Sequence, residues 1–519
     1  MTVVGRMPHP SALNAGRRAR ELDALAEGPP LDVLVIGGGV TGAGIALDAA
    51  SRGLRTALVE RHDLAHGTSR WSSKLVHGGL RYLATGQVGI AHESAAERHL
   101  LMTRIAPHLT RALAQVVPLY APGHMPRGAF VGLGYGLGDG LRRFVGTPGA
   151  VLGPPGPIGR AETLRLVPAV APEELRGGVR GWDGQLIDDA RLVVAIARTA
   201  AGYGASVLTR VEAVSAGGDG AVLKDRVTGS EVSVRARAVV SATGVWAGEL
   251  AADVRLRPSR GTHLVVSAER LGGSDASLTA PVPGSSSRFV FTLPAPHGRA
   301  YIGLTDVPAD GPLPDVPHAT EPEIDALLST MNTVLARPLT REDVLATFAG
   351  LRPLLAGAHD TDEGDDTSDL SRRHAILESS SGLLSVVGGK LTTYRRMAED
   401  AVDAVIRRDP SFPARPSRTR AVPLAGAWPR HRMAEIAAPP RFVRRYGAEA
   451  PYAASLPDGP AAARGVTAQE LQWGIEVEGA LGIEDLLDRR TRLGLVAVDR
   501  EASTDAAADA FVRAGVEPV

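Results

Sequence analysis

The most constraining feature of the sequence is residues 31–60, where an apolar strand leads into spaced glycines and a helix of small residues. The glycines follow the pattern Gly37-x-Gly39-x-x-Gly42, and a second apolar strand ends at Glu60. Glycines allow a sharp turn and a close backbone approach to a pyrophosphate, which the N-terminus of the next helix attracts. An acid at the end of the second strand suits the ribose hydroxyls of an adenosine. The stretch therefore predicts a dinucleotide-binding βαβ unit.

The bulk properties limit the class of protein. The chain has 519 residues, a formal net charge of zero and no cysteine. Its length exceeds that of one compact core, so about two or three domains are expected. Zero net charge argues against a general nucleic-acid binder. The lack of cysteine excludes disulfides, iron–sulfur clusters and a cysteinyl link to a cofactor.

The distribution of apolar and charged residues bears on the location of the protein. The sequence has no apolar run of about eighteen residues, so no transmembrane helix is predicted. Residues 1–30 mix arginines with acids and lack the apolar core of a secretory signal, so we expect a flexible extension there. A cytoplasmic protein is predicted, with peripheral contact at the inner face of the cell membrane left open. Residues 128–144 mix glycine, apolar and basic residues; of lipid contact and a surface loop, we favour the loop.

The remaining patterns predict an α/β fold (α+β overall), with one Rossmann-like domain assembled from distant parts of the chain. Alternating strand and helix patterns are interrupted by long segments that are richer in strand signals. A proline-rich stretch then precedes a helical region that begins with the capping-box pattern Thr467-x-x-Glu470. We expect a Rossmann-like domain over residues 31–110, 185–250 and 346–408, an inserted β-rich substrate domain over 111–184 and 251–345, a linker over 409–432 and a C-terminal helical domain over 433–519.

Residues 68–83, TSRWSSKLVHGGLRYL, carry a resemblance to a known family. With the glycine-rich turn, this string closely resembles the FAD-dependent (aerobic) glycerol-3-phosphate dehydrogenases. Further matching strings follow in the same order: Ala-Thr-Gly at 242–244, Gly261-Thr-His263, Gly303-Leu-Thr305-Asp306, Gly350-Leu-Arg352-Pro353-Leu354, Ser371-Arg372-Arg373-His374, Gly388-Gly-Lys390-Leu-Thr-Thr-Tyr-Arg395 and DLLDRRTRL at 485–493. The resemblance implies oxidation of sn-glycerol 3-phosphate to dihydroxyacetone phosphate, with electrons passing from FAD to the quinone pool at the membrane.

The glycine-rich turn and the resemblance together assign residues to a non-covalently bound FAD. A helix that starts after Gly388-Gly389 would direct its positive dipole end towards the flavin, and hydroxyl and ammonium donors suit the FAD phosphates and ring. The residues assigned to FAD are Gly37, Gly39, Gly42, Glu60, Thr68, Ser72, Lys74, His77, Gly78, Thr243, Gly244, Gly389, Lys390, Leu391 and Thr392.

Capture of a substrate phosphate requires basic side chains, because the net charge of the chain is zero. Arginine offers a planar pair of donors to phosphate oxygens. The matched strings assign Arg81, Arg352 and Arg372 to this task, with Tyr82 as a hydroxyl donor and Thr305 as a further substrate contact. Arg372 is chosen over its neighbour Arg373 by its position in the motif.

Proton acceptance from the alcohol and charge stabilisation require further groups. Histidine has an unperturbed pKa that suits a base near neutral pH. His263 lies in the strand-like segment GTHLVV; alternation could direct it into the substrate cavity, and a hydrogen-bonded structural histidine is the equal alternative. Lys390 would add positive charge near the flavin or substrate oxygen, and Arg352 joins these two as a catalytic residue. No metal site is predicted, because the histidines are scattered.

Three other functions remain open on the sequence. A glycerol-3-phosphate oxidase would use the same residues and pass electrons to molecular oxygen. An amino-acid or hydroxy-acid oxidoreductase would need an arginine for a carboxylate, but one would suffice. An FAD-binding redox sensor would retain the fold without turnover. A homodimer is also left open, and no nucleic-acid partner is expected.

Overall fold

The computed structural model describes residues 10–79, 86–120, 125–285, 288–355, 373–412 and 415–519. The strands in this part of the chain are β1 (Leu31–Ile36), β2 (Thr56–Glu60), β3 (Leu75–Val76), β4 (Thr110–Tyr120), β5 (Gly156–Gly159), β6 (Leu175–Leu186), β7 (Ser206–Thr209), β8 (Val211–Ala216), β9 (Gly220–Asp225), β10 (Glu231–Ser241), β11 (Ser259–Ser267), β12 (Ser277–Pro281), β13 (Phe289–Ala295), β14 (Arg299–Gly303), β15 (Val307–Pro308), β16 (Ala346–Arg352), β17 (His374–Glu378) and β18 (Leu384–Gly388). The α-helices are α1 (Ala15–Glu27), α2 (Val40–Ser51), α3 (Val88–Leu100), α4 (Met125–Phe144), α5 (Arg160–Leu166), α6 (Asp189–Gly202), α7 (Ala247–Leu250), α8 (Glu321–Asn332), α9 (Tyr394–Arg408), α10 (Pro440–Tyr446), α11 (Ala450–Ala454), α12 (Ala468–Glu476) and α13 (Ala497–Ala514).

The first sheet has the strand order β17-β18-β10-β1-β2-β7, and β9 and β8 extend from β10. Strand β1 pairs in parallel with β2 and β10 and reads LDVLVI, a continuous apolar run typical of a strand that is buried on both faces. Helix α2 connects β1 to β2 and packs against α6 and α9. Its small residues permit this, since a Cβ on Gly44 would lie 2.9 Å from the Tyr394 ring. These features confirm the predicted α/β class.

The second sheet is largely antiparallel, in the order β15-β11-β14-β13-β12-β4-β6-β3, and β16 pairs with β11. Helix α8 packs against it around Leu327 and Met331, which join Leu264 and Ile302 in one apolar cluster. Two of its strands, β3 and β16, fall in ranges that the sequence analysis assigned to the Rossmann-like domain. Residues 75–76 and 346–352 thus pair within the second sheet, which strand signals alone do not reveal, and the domain boundaries stay a prediction.

The prediction of a flexible N-terminal extension is wrong for residues 10–30. Residues 15–27 form helix α1, which Asn14 caps by accepting a hydrogen bond of 2.9 Å from the Arg17 N–H. Arg18 pairs with Asp225 and donates to the Thr209 carbonyl oxygen at 2.7 Å, so the helix is held against the first sheet. Residues 1–9 lie outside the described residues.

The segment that we predicted as a surface loop, residues 128–144, forms most of helix α4. The helix packs on the second sheet through Tyr135, whose hydroxyl donates to Gln115 Oε1 at 3.2 Å. Gly181 allows this contact, since a Cβ there would collide with the Tyr135 ring. Within the described residues, we find no helix whose length and apolar content would let it cross a membrane.

The C-terminal region is helical, with α10 to α13 around buried side chains such as Trp473 and Phe511. Residues 409–432, predicted as a linker, are in part packed: Val422 and Leu424 are buried in the core beside α2 and α6. Their burial ties the C-terminal module, residues 433–519, closely to the first sheet.

Candidate cofactor and substrate site

A large cavity, with a volume of about 1070 Å³, lies between the two sheets of the described chain. The first sheet contributes the carboxyl ends of β1, β2 and β10, the edge at which doubly wound sheets bind ligands. The second sheet contributes Leu304, which follows β14, and Gly261 and Arg352 from β11 and β16. Typical small-molecule sites occupy about 300–1,000 Å³, so this cavity can hold a large ligand.

The glycine-rich turn fits the close approach of a bulky anion. Gly37 has a φ of +111°, and a Cβ on it would lie 2.6 Å from the Ala242 carbonyl oxygen. A Cβ on Gly42 would collide with the Gly37 carbonyl oxygen. Glycine is therefore required here both for the left-handed backbone and for the packing of α2 against β1.

Glu60 supports this turn from the end of β2. Its two carboxylate oxygens accept the N–H groups of Gly38 at 2.6 Å and His62 at 2.8 Å. Burial raises the pKa of Glu60, and the two N–H donors oppose that shift. The carboxylate thus orders the turn and also faces the cavity, where ribose hydroxyls would meet it.

Most residues assigned to FAD line this cavity, and three do not. Those that line it are Gly37, Gly39, Glu60, Thr68, Ser72, His77, Thr243, Gly244, Gly389, Lys390, Leu391 and Thr392. Gly42, Lys74 and Gly78 are not among the described residues that line the cavity. Gly42 packs against Gly37, whereas the Gly78 N–H donates to Asp183 Oδ1 at 3.0 Å.

Lys74 is directed into the protein, which corrects its assignment to the cofactor. Its Nζ donates to the carbonyl oxygens of Arg70 and Ser72 at 3.1 and 2.9 Å and lies 3.2 Å from Asp189 Oδ2. Burial lowers the pKa of Lys74 to about 8, although Asp189 opposes the shift. Asp189 also accepts from the N–H and hydroxyl of Ser72 at 3.0 and 2.8 Å, so the Ser72 hydroxyl is already engaged. Asp188 caps α6, and the role of its neighbour Asp189 as the partner of Lys74 and Ser72 was missed by the sequence analysis.

Arg352 reaches the cavity from the end of β16. Its Nη1 donates to Asp306 Oδ1 at 3.0 Å and Ser259 Oγ at 3.1 Å, and its Nη2 donates to the Thr305 carbonyl oxygen at 3.2 Å. Gly261 leaves room for the guanidinium, since a Cβ there would collide with Nη2. The sequence contains Asp306 in a matched string, but its role as the counter-ion of Arg352 was missed.

Thr305 lines the cavity, but its hydroxyl is engaged by protein groups. The hydroxyl donates to Glu323 Oε1 at 2.7 Å and accepts the Thr262 N–H at 2.9 Å. Glu323 also accepts from Arg260 Nε at 2.8 Å. The hydroxyl thus joins two strands and α8 at the cavity wall, and contact of Thr305 with the substrate stays a prediction.

Lys390 lines the cavity at the turn after β18. Its Nζ donates to Ser94 Oγ at 3.0 Å. Gly388 and Gly389 have φ values of +76° and +74°, and the helix that we predicted from about Leu391 begins as a short 3₁₀ turn, Leu391–Thr393, before α9. A cation and a helical N-terminus thus share this part of the wall.

His263 lies behind the cavity surface, so of the two alternatives that the sequence left open its position fits the hydrogen-bonded histidine rather than a side chain directed into the cavity. The side chain is fully buried, its Nε2 is 2.9 Å from Ser73 Oγ, and its ring stacks on Phe348 at 4.6 Å. Burial lowers the pKa of His263 well below its ordinary value, and the charges of Lys74 and Arg352 add to this. Ser73, rather than His263, lines the cavity.

Two histidines that the sequence analysis missed also line the cavity. His62 and His66 stack with ring centroids 3.9 Å apart. Burial, with Arg61 nearby, lowers the pKa of His62 to about 4, and burial with His62 lowers that of His66 to about 2. No motif marks them; only their place after Glu60 could have suggested the site. Arg81, Tyr82 and Arg372 lie outside the described residues.

Comparisons with known proteins agree with this geometry. The family model "FAD dependent oxidoreductase" matches residues 32–395. Glycerol-3-phosphate dehydrogenase 1 of Mycobacterium tuberculosis is 52% identical over 505 residues, which cover 95% of this chain and 97% of that protein. The aerobic glycerol-3-phosphate dehydrogenase of Staphylococcus aureus is 34% identical over 413 residues, 76% of this chain and 71% of that protein.

A solved structure supports the same assignment. The glycerol-3-phosphate dehydrogenase from Bacillus halodurans, complexed with FAD, superimposes with a TM-score of 0.73 at 28% identity, over 97% of this chain and 94% of that chain. The chain therefore belongs to the FAD-dependent oxidoreductases and, within them, to the family of glycerol-3-phosphate dehydrogenases.

Proposed function

We propose that this protein oxidises sn-glycerol 3-phosphate to dihydroxyacetone phosphate with FAD as its cofactor. The observation that carries the proposal is the placement of Arg352, held by Asp306, in the same cavity as the glycine-rich turn. One side of the cavity suits a dinucleotide and the other suits an anionic substrate. The relative that is 52% identical bears the name of this activity.

The residues around the glycine-rich turn are those proposed to hold FAD. Gly37 and Gly39 leave space for the pyrophosphate, and Glu60 would meet the ribose. Thr243 and Gly244 line the cavity after β10. When bound, FAD supplies the acceptor for the two electrons and the carbon-bound hydrogen of the alcohol.

Arg352 is the proposed anchor for the substrate phosphate. A guanidinium binds phosphate through two parallel N–H groups, which fixes orientation as well as charge. Asp306 and Ser259 hold Nη1, so the guanidinium plane is set before substrate arrives. Arg81, Tyr82 and Arg372 stay predictions as further contacts.

The proton of the substrate hydroxyl needs an acceptor near the reacting carbon. We propose His263, acting through the Ser73 hydroxyl that lies between it and the cavity. Its low pKa keeps the imidazole neutral, so Nε2 can accept a hydrogen bond from Ser73. His77 lines the cavity directly and is the alternative acceptor. Lys390 would stabilise negative charge that develops beside it.

The test is an anaerobic titration of the purified yellow protein. Bleaching of the flavin absorbance by glycerol 3-phosphate, but not by glycerol, lactate or glycine, is the expected result. Bleaching by a hydroxy acid or amino acid instead would contradict the proposed substrate. A yellow protein that none of them bleaches would favour a redox sensor.

We further propose a quinone as the electron acceptor and a peripheral position on the inner face of the membrane. Helix α4 supports the peripheral position: the exposed fractions of Leu133, Leu137 and Phe144 are 63%, 53% and 78%, and Arg143 lies beside them. Apolar side chains with adjacent basic residues are typical of interfacial helices. After reduction by substrate, reoxidation by a soluble quinone much faster than by oxygen is expected; the reverse would identify an oxidase.

A further inference from the structure

The loop that follows β2 forms part of the cavity wall and is held from two sides. We call residues 61–70 the wall loop; His62, His66 and Gly67 are among its cavity-lining residues. The contacts that fix this loop bear on the cofactor, and the role proposed for them rests on the proposed binding of FAD.

On its inner side the wall loop is bonded directly to the glycine-rich turn. The Ala65 N–H donates to the Gly38 carbonyl oxygen at 2.9 Å. The N–H of Val40, the first residue of α2, donates to Ser69 Oγ at 2.9 Å. A shift of the wall loop would therefore also shift the backbone proposed to meet the pyrophosphate.

On its outer side the wall loop is bonded to the C-terminal module. Asp63 is 1% exposed and accepts from both terminal nitrogens of Arg490 at 2.8 and 2.9 Å and from Arg489 Nε at 2.6 Å. Arg492 Nη2 donates to the Arg70 carbonyl oxygen at 2.9 Å. The segment Asp485–Thr491, which carries the two paired arginines, is a wide helical turn.

The arginines are themselves fixed within the C-terminal module. Arg489 pairs with Asp485, and Arg490 Nε and Nη2 donate to the Glu478 carbonyl oxygen at 3.1 and 2.9 Å. Burial opposes ionisation of Asp63, but the two arginines outweigh it and hold its pKa below the ordinary range. Removing one partner of such a buried pair leaves an uncompensated charge, so the contact strongly favours one position of the loop.

We propose that Arg489 and Arg490, acting through Asp63, are positioning residues for FAD. They hold the wall loop against the glycine-rich turn, and so the C-terminal module sets the affinity of the Rossmann-like domain for its cofactor. None of these three side chains lines the cavity among the described residues, so their effect on FAD is indirect.

A matched pair of substitutions tests this. Asp63→Asn removes the charge behind the wall loop at almost unchanged volume. Glu449→Gln likewise removes a carboxylate charge at almost unchanged volume, at another contact between the C-terminal module and the first sheet. There Glu449 binds Arg198 on α6 at 2.7 and 2.8 Å, away from the cavity lining. Deflavinated full-length proteins are titrated with FAD by fluorescence quenching, and the melting temperature of each apoprotein is recorded.

Asp63→Asn is expected to weaken FAD binding about tenfold or more, comparable to the loss of one charge-assisted hydrogen bond. Glu449→Gln is expected to bind within about twofold of the wild type, even where its apoprotein melts as early. Equal FAD affinities for the two variants, whether weakened or not, would overturn the proposal, because they would reveal a merely structural role.

A second variant serves if Asp63→Asn does not fold. Arg490→Lys keeps the charge and loses the paired donors, so binding about threefold weaker or more is expected, and binding within about twofold of the wild type would overturn the proposal. A wild-type protein that itself does not bind FAD would instead overturn the proposed function, so the two failures are distinguishable.

Discussion

Replacement of Arg352 by alanine tests the proposed substrate phosphate site most directly. The guanidinium lies in the cavity wall and bonds to Asp306, Ser259 and the Thr305 carbonyl oxygen. Its removal has two consequences for a phosphorylated substrate: the positive donor is lost, and the Asp306 carboxylate loses one of the groups that pair with it. Since the side chain of Asp306 is only 15% exposed, solvent would screen its charge poorly.

The magnitude follows from these two effects. Loss of a charge-assisted hydrogen bond to phosphate costs about 1.5–3 kcal/mol. Repulsion between the Asp306 carboxylate, no longer paired with Arg352, and the phosphate adds about 1–2 kcal/mol at an effective dielectric constant of about 20. The sum, about 2.5–5 kcal/mol, corresponds to a fall in kcat/KM for glycerol 3-phosphate of about 60- to 4,000-fold. Asp306→Asn would remove only the repulsion. The kcat/KM of the double variant Arg352→Ala with Asp306→Asn should therefore be about tenfold higher than that of Arg352→Ala alone.

The assay is steady-state oxidation with an artificial electron acceptor, measured for glycerol 3-phosphate and for unphosphorylated glycerol. Wild type, Arg352→Ala, Arg352→Lys and the double variant with Asp306→Asn form the set. Arg352→Lys retains the charge but not the paired donors, so an intermediate loss is expected. Each variant is compared at equal flavin content, which separates substrate binding from cofactor loss.

The reasoning would be refuted by equal losses for the two substrates, because a phosphate anchor does not act on a substrate without phosphate. It would also be refuted if the double variant were no better than Arg352→Ala, since Asp306 would then have no unfavourable effect on the bound substrate. In that event Arg352 would act as a structural link between β16, β11 and the end of β14.

Three further predictions concern cofactor, pH and membrane. Gly39→Val should purify colourless, with little absorbance near 450 nm per protein, because Gly39 lines the cavity and its Cβ would already lie 3.1 Å from Ser69 Oγ; normal flavin content would contradict the assignment of the turn. Stability should fall as pH drops below about 6.5, since an unfolded histidine binds a proton there whereas His66 has its pKa lowered to about 2 in the folded state. At pH 5 the free energy of unfolding should be lower by at most about 2 kcal/mol because of His66. His66→Gln should therefore flatten the dependence of the melting temperature on pH, and an unchanged slope would exclude this contribution of His66. Leu137→Glu should reduce cosedimentation with vesicles of anionic lipid and leave turnover of a soluble quinone unchanged; undiminished cosedimentation would exclude α4 as the contact.

The sequence predicts best where a function needs a local pattern. The glycine-rich turn and the capping box at Thr467 are both set by neighbouring residues, and both are present in the structure. The resemblance and the fold class are confirmed by the comparisons. These features depend on spacing along the chain, which a single sequence displays directly.

Contacts between distant segments could not be predicted in this way. The strand β16 shows a strand pattern, but only its pairing with β11 decides that it belongs to the second sheet. Likewise, no local rule tells that Lys74 turns inward to Asp189, or that a serine stands between His263 and the cavity. In these last two cases a charged or polar side chain is buried and needs a partner, and that partner lies more than 100 residues away in the sequence.

The arginines of the C-terminal module affect a site that they do not line for the same physical reason. Asp63 and Arg489 are separated by 426 residues, and both are buried. A buried charge of either sign is tolerable only when the other is present, so the wall loop and the C-terminal module must come together in one arrangement. Because the wall loop also bonds to Gly38, that arrangement extends to the glycine-rich turn. The cofactor site that the first sheet provides is therefore complete only when residues 485–492 are in place.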